Sequence, residues 1–195
     1  MTDWGVHLLD YALFGMNQYV PNSIMSVGGK YAFPNDAMET PDTLTAVYDF
    51  GDFGVIWEHT IGIFGAQYDK RGHGLAFVGD YGTLVVDRGG WEVIPEEKSV
   101  QKKEGFEGMP HQKSTGQGLS LHVENFLDCI KTREKPNCDI ETGAHIARFA
   151  HLGNISYRLG RKLDWDGDKQ KFKNDKEADA MARAHYRKPW ALPKV

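Results

Sequence analysis

Two alternating segments, Thr43 to Phe50 and Phe53 to Ile61, are joined by nothing longer than Gly51-Asp52. A link of that length leaves room only for a tight reversal, and glycine supplies the positive φ that such a reversal needs. The two segments must therefore be antiparallel neighbours. In the first of them Leu44, Ala46, Tyr48 and Phe50 fall on one face and Thr45, Val47 and Asp49 on the other, the period-two pattern of a half-buried strand. Ser23 to Ala32 is a further strand candidate. Gly74–Val78, Thr83–Val86 and Trp91–Ile94 follow, joined by the turn sequences Gly79-Asp80-Tyr81-Gly82 and Asp87-Arg88-Gly89-Gly90. The middle of the chain thus reads as an antiparallel meander.

Helical spacing brackets this meander. Val6, Leu9 and Leu13, with Leu8 and Ala12 beside them, make an apolar stripe that Gly15 ends. Later, Ser120 is placed to cap a helix bearing Val123, Phe126, Leu127 and Ile130, and Asp139 opens a longer one that ends at Gly160. Asn174-x-x-Glu177 resembles a capping box for a last short helix. Helices before and after one antiparallel sheet predict an α+β two-layer sandwich, with a large open sheet and its helices on one face. Val55 and Trp57 point one way from their strand and Ile56 the other, so the second sheet face is apolar too. An apolar free face calls for a partner, and the expectation is a homo-oligomer formed through it.

A chain of 195 residues with 41% hydrophobic side chains suits a single domain, 1–195, with an adequate core. Residues 95–118 are polar and read as a long loop. The stretches 62–72 and 97–118 are where substrate specificity would be tuned. Residues 161–195 carry a net charge of +4 against −8 for the rest of the chain. This tail is expected to wrap the body, with Trp190 packing against it. An overall charge of −4 gives no basic footprint for nucleic acid, and no apolar run is long enough to span a membrane. Cys129 and Cys138 lack metal-ligand spacing and read as free thiols. Met1 leads into Thr2-Asp3-Trp4 without a leader pattern, which gives a cytoplasmic expectation for this chain.

The sharpest constellation is Asp3-Trp4-Gly5-Val6-His7-Leu8-Leu9-Asp10. On a helix beginning near Asp3, the i, i+4 and i, i+3 spacings bring Asp3, His7 and Asp10 to one face. A carboxylate beside an imidazole fixes its tautomer and raises its basicity, which suits a general acid or base. Two other readings stand beside this one: Asp3 as a helix cap with His7 at the core edge, and a metal site needing further ligands from elsewhere. No dinucleotide fingerprint is present, since Gly72-His73-Gly74 and Gly116-Gln117-Gly118 are followed by Phe77 and Leu121 where a third glycine belongs. The sequence also lacks a phosphate loop and a nucleophile elbow.

The Asp3-x-x-x-His7 start resembles the Gfo/Idh/MocA family of NAD(P)-dependent oxidoreductases, whose C-terminal domain opens on a D-x-x-x-H motif. The resemblance continues through His73 to Phe77, Gly82 to Trp91, Asn125 to Lys131, Gly160 to Asp166 and Arg187 to Trp190. It implies an antiparallel sheet domain that binds a sugar or polyol and oligomerises through its open face. It also implies acid/base roles for Asp3 and His7, with Trp4 and His122 as substrate contacts. The family's N-terminal nucleotide domain and its Glu-Lys-Pro lysine have no counterpart in this sequence. Glu134-Lys135-Pro136 repeats the letters, but in a helix–helix link, and is read as coincidence. NAD or NADP is therefore expected for full-length relatives, not for this chain alone, and Met1 is read as an internal methionine of a longer ancestral frame. Some relatives are exported through signals on the other domain, so the resemblance leaves the periplasm open. The competing functions are a binding or assembly module without catalysis and half of an NAD-dependent glycoside hydrolase.

Overall fold

The computed structural model describes residues 1–63, 71–97 and 106–191. In chain order the elements are α1 (Trp4–Met16), β1 (Ser23–Gly29), β2 (Thr43–Asp49), β3 (Gly54–Thr60), β4 (Leu75–Val78), β5 (Gly82–Asp87), β6 (Gly90–Pro95), β7 (Met109–Lys113), α2 (Gly118–Thr132), α3 (Ile140–Leu159), β8 (Leu163–Asp166), β9 (Lys171–Phe172) and α4 (Lys176–Met181). The fold is α+β and its ladders are antiparallel, as the alternation and tight turns require. The strands divide, however, into two sheets, ordered β3-β2-β1-β8-β9 and β4-β5-β6-β7, where a single large one was expected. The reason lies between β3 and β4. Fourteen residues, 61–74, separate them, and a link of that length does not impose hairpin pairing as Gly51-Asp52 does. Of the two stretches expected to tune specificity, residues 64–70 and 98–105 lie outside the described residues.

The chain forms two compact units, residues 1–62 with 145–195 and residues 63–144. In the first, β2 places Leu44, Ala46 and Tyr48 inward, fully buried, while Val47 and Asp49 face out. Leu9 and Leu13 of α1, Ile24 of β1, and Phe149, Leu152 and Ile155 of α3 close on them. The Tyr48 and Phe149 rings stack at 3.9 Å. α3 ends where Gly160 takes φ +65, as its sequence indicates. Asp139 accepts a bond from the Thr142 amide at 2.7 Å, the capping geometry expected of it.

Residues 161–181, read from the sequence as tail, form β8, β9 and α4. β8 pairs with β1, and Trp165 and Phe172 meet edge to face inside the core. Charge hid these strands: only alternate positions, Leu163 and Trp165, are buried, and Asp164 and Asp166 dominate the composition. Trp190 is 68% exposed rather than packed as an anchor. α4 is capped by Asp175, whose carboxylate accepts from the Ala178 amide at 3.0 Å, one residue past the expected Asn174. Arg161 holds the same carboxylate and Glu177.

In the second unit β4, β5 and β6 follow the expected hairpins. β7 falls in the supposed loop, paired with β6 across a bulge at Trp91/Val93. Its residues, Met-Pro-His-Gln-Lys, have no apolar alternation, so only the ladder to β6 reveals it. Arg71 bridges Asp87, at 2.7 Å, and Glu92. α2 begins at Gly118, two residues before the expected Ser120 cap, and no residue of it is fully buried. Cys129 and Cys138 are not bridged to each other.

Candidate functional site

α1 is seated by Gly5, Leu9 and Leu13, its buried stripe. The helix period then sends Asp3, Trp4, His7, Tyr11 and Phe14 to the opposite side, where all five are exposed. Asp10, adjacent on that side, is partly buried. The first turn thus places Asp3 and His7 on one exposed face with Trp4 beside them, as the spacing predicts. Asp3 occupies the N-cap position, but its side chain makes no capping bond.

The electrostatics distribute the two carboxylates differently. The His7 charge acts on Asp10, whose pKa is raised first by burial and then drawn back down by the imidazole. Asp3 instead bears on the α-amino group of Met1, which burial pushes below its ordinary value. Of the two carboxylates, Asp10 is the one whose ionised form the His7 charge favours.

Tyr11 and Phe14 were not singled out by the sequence reading. They are 59% and 73% exposed, next to Trp4 at 54%. Three large aromatic side chains around an imidazole and two carboxylates make a surface suited to a ligand with apolar C–H faces and hydroxyl edges. The signal was available: His7, Tyr11 and Phe14 follow i, i+4, i+7 spacing. It was masked because the reading of α1 followed its buried stripe. His122 lies on α2, in the second unit, and is exposed.

Lys135, of the Glu-Lys-Pro triplet, is held by Asp139 at 2.5 Å and by Glu141 at 3.8 Å. Its pKa is raised by the bond to Asp139, which keeps it protonated and makes it a poor base. A parallel βαβ turn at a helix N-terminus is the usual dinucleotide seat; among the described residues every ladder is antiparallel. Among the described residues no group of three or more His, Cys, Asp or Glu could hold a metal ion, and no helix is long and apolar enough to cross a membrane.

The described elements make an α+β fold with antiparallel sheets. Residues 113–192 match the Gfo/Idh/MocA family model described as oxidoreductase family, C-terminal alpha/beta domain. Solved structures carry the same fold. Levoglucosan dehydrogenase, in complex with NADH and L-sorbose, superposes with a TM-score of 0.62 at 12% identity, covering 83% of this chain and 49% of that one. The WlbA dehydrogenase from Bordetella pertussis, in complex with NADH and UDP-GlcNAcA, gives 0.53 at 13% identity, covering 84% and 44%. The oxidoreductase structure yvaA from Bacillus subtilis gives 0.61 at 14% identity, covering 84% and 52%. The chain therefore spans about half the length of the structures it resembles. No curated protein sequence matches it.

Proposed function

We propose that this chain is the substrate-binding and assembly part of an NAD(P)-dependent oxidoreductase acting on a sugar or polyol hydroxyl. The observation that carries the reading is the exposed face of α1, which sets Asp3, His7 and Asp10 among Trp4, Tyr11 and Phe14 opposite a buried stripe. In this reading His7 exchanges the hydroxyl proton of the substrate, assisted by Asp3. Trp4 contacts the sugar. In this reading the nicotinamide is held by a separate nucleotide-binding half.

The free face of the first sheet supports the assembly role. Register aligns Met25 with Val47 and Val47 with Ile56 across three strands. All three side chains are exposed, with Val27 beside them. A row of aliphatic side chains on an unpaired sheet face is the kind of patch that a second copy covers. Lysine at Val47 or Ile56 should shift the chain toward monomer in sedimentation; unchanged association would remove this part of the proposal.

Catalysis is tested by combining the chain with a nucleotide-binding half and following nicotinamide reduction over a panel of sugars and polyols. His7→Gln should lower kcat by roughly 10²–10⁴ without unfolding the chain. Full activity in that variant would refute the role of the α1 face.

A further inference from the structure

α1 rests on an indole. A Cβ added at Gly5 would stand 3.4 Å from Cζ2 of Trp57, ordinary van der Waals contact, so the helix backbone at Gly5 lies directly over the ring. Trp57 is itself almost fully buried and is held from the side. Its Nε1–H donates to Nδ1 of His59 at 3.0 Å. An indole N–H can only donate, so Nδ1 must be the acceptor and the proton of the neutral ring sits on Nε2. Nε2–H then donates to the Pro41 carbonyl at 3.2 Å.

That carbonyl stands on firm ground. The next residue, Asp42, is buried, and its carboxylate accepts the amides of Tyr31, Ala32 and Phe33 at 2.8–3.0 Å and the hydroxyl of Thr43 at 2.8 Å. Its own carbonyl accepts the Ile61 amide at 2.8 Å. A continuous path thus runs from the 31–42 loop through His59 and Trp57 to the helix that carries Asp3 and His7.

We propose that His59 is a positioning residue for the α1 site: its neutral ring clamps Trp57, and Trp57 fixes the seat from which α1 presents Asp3 and His7. The inference deepens the oxidoreductase reading and rests on it for its catalytic meaning. The clamp works only with Nδ1 unprotonated, since a second N–H there would oppose that of Trp57. Burial favours the neutral ring, and of the charges facing it the Met1 α-amino group does the same while Asp42 opposes.

Three substitutions separate the two bonds. His59→Leu removes both. His59→Asn keeps an acceptor near the Nδ1 position, and His59→Gln keeps a donor near Nε2. In the full ¹⁵N-labelled chain, His59→Leu should move the Trp57 indole N–H resonance, assigned by its loss in Trp57→Phe. Amide exchange along α1 should quicken about fivefold, the worth of one net hydrogen bond, while α3 keeps its protection. His59→Asn should restore α1 protection and His59→Gln should not. In the assembled enzyme the same order should appear in kcat with KM little changed. Equal loss of protection in α1 and α3, no loss in α1, or equal behaviour of the Asn and Gln variants would each overturn the proposal. If His59→Leu does not fold, the Asn and Gln pair decides it. The exchange measurements stand even if the chain proves to lack catalysis, which keeps this failure separate from that of the functional reading.

Discussion

Gly153 tests the packing on which the first unit depends. It lies in the middle of α3 and is buried. By intrinsic propensity, Gly153→Ala should stabilise the helix by about 1 kcal/mol. The structure opposes this. The new Cβ would stand 2.3 Å from the Tyr48 hydroxyl oxygen and 2.7 Å from Cε of Met1. Met1 is the end of a flexible side chain and can turn away. Tyr48 cannot, because it is wholly buried and stacked on Phe149 at 3.9 Å, with its hydroxyl donating toward the Phe149 carbonyl at 3.2 Å. Ordinary contact would require the oxygen to retreat by about 1 Å. Overpacking of that kind costs about 1–3 kcal/mol, and a locked ring belongs at the upper end. The net expectation is a loss of about 2 kcal/mol, read as a lower urea midpoint at unchanged slope. Tyr48→Phe alone should cost about 1 kcal/mol for its hydrogen bond. It also removes the clashing oxygen, so the double variant should be more stable than Gly153→Ala alone. A Gly153→Ala chain as stable as the parent, or strict additivity in the double variant, would refute the argument.

Three further outcomes follow from particular contacts. Ser156→Ala should cost about 2–3 kcal/mol in the same denaturation assay, because its hydroxyl alone serves both the Ser26 amide at 3.0 Å and the Arg161 carbonyl at 2.8 Å. Asp139 is held at a pKa of about 2 by its bonds to Lys135 and to the Thr142 amide, against an ordinary 3.8. A depressed carboxylate contributes stability above its unfolded value and loses it as pH falls through its folded one. Lys135→Met should therefore narrow the parent's advantage over Asp139→Asn at neutral pH, and acid titration should show that advantage vanishing between about pH 4 and 2. His7→Gln should raise the Asp10 pKa further, since the imidazole charge that draws it down is gone. Carboxyl-carbon NMR would read this, and an unmoved Asp10 would show that the two groups do not face each other.

The legible parts of the fold were those in which period and turn chemistry agree. Leu44, Ala46 and Tyr48 alternate, Gly51-Asp52 closes their hairpin, and the burial of β2 and β3 follows residue by residue. The division into two sheets was not legible, because a fourteen-residue link carries no pairing information of its own. β7 and β8 escaped for a related reason. One has no apolar alternation, and the other has two apolar residues among aspartates, so their assignment depends on neighbours distant in sequence. The same holds for His59. Nothing in Trp57-Glu58-His59 announces a clamp until the Pro41 carbonyl is brought beside it.

The α1 site shows why a short motif can be read and still be incompletely understood. Spacing alone points Asp3 and His7 to one face; both are exposed, while Gly5, Leu9 and Leu13 fix the rotation of α1 against the core. Spacing does not rank the carboxylates. Asp10 lies closer to the buried side, so desolvation acts on it and the imidazole charge becomes its compensation. Asp3, at the start of the helix, is exposed. Exchanging asparagine into each position tests the difference: if the α1 face binds ligand as proposed, Asp3→Asn should weaken that binding more than Asp10→Asn does, and equal effects would count against it.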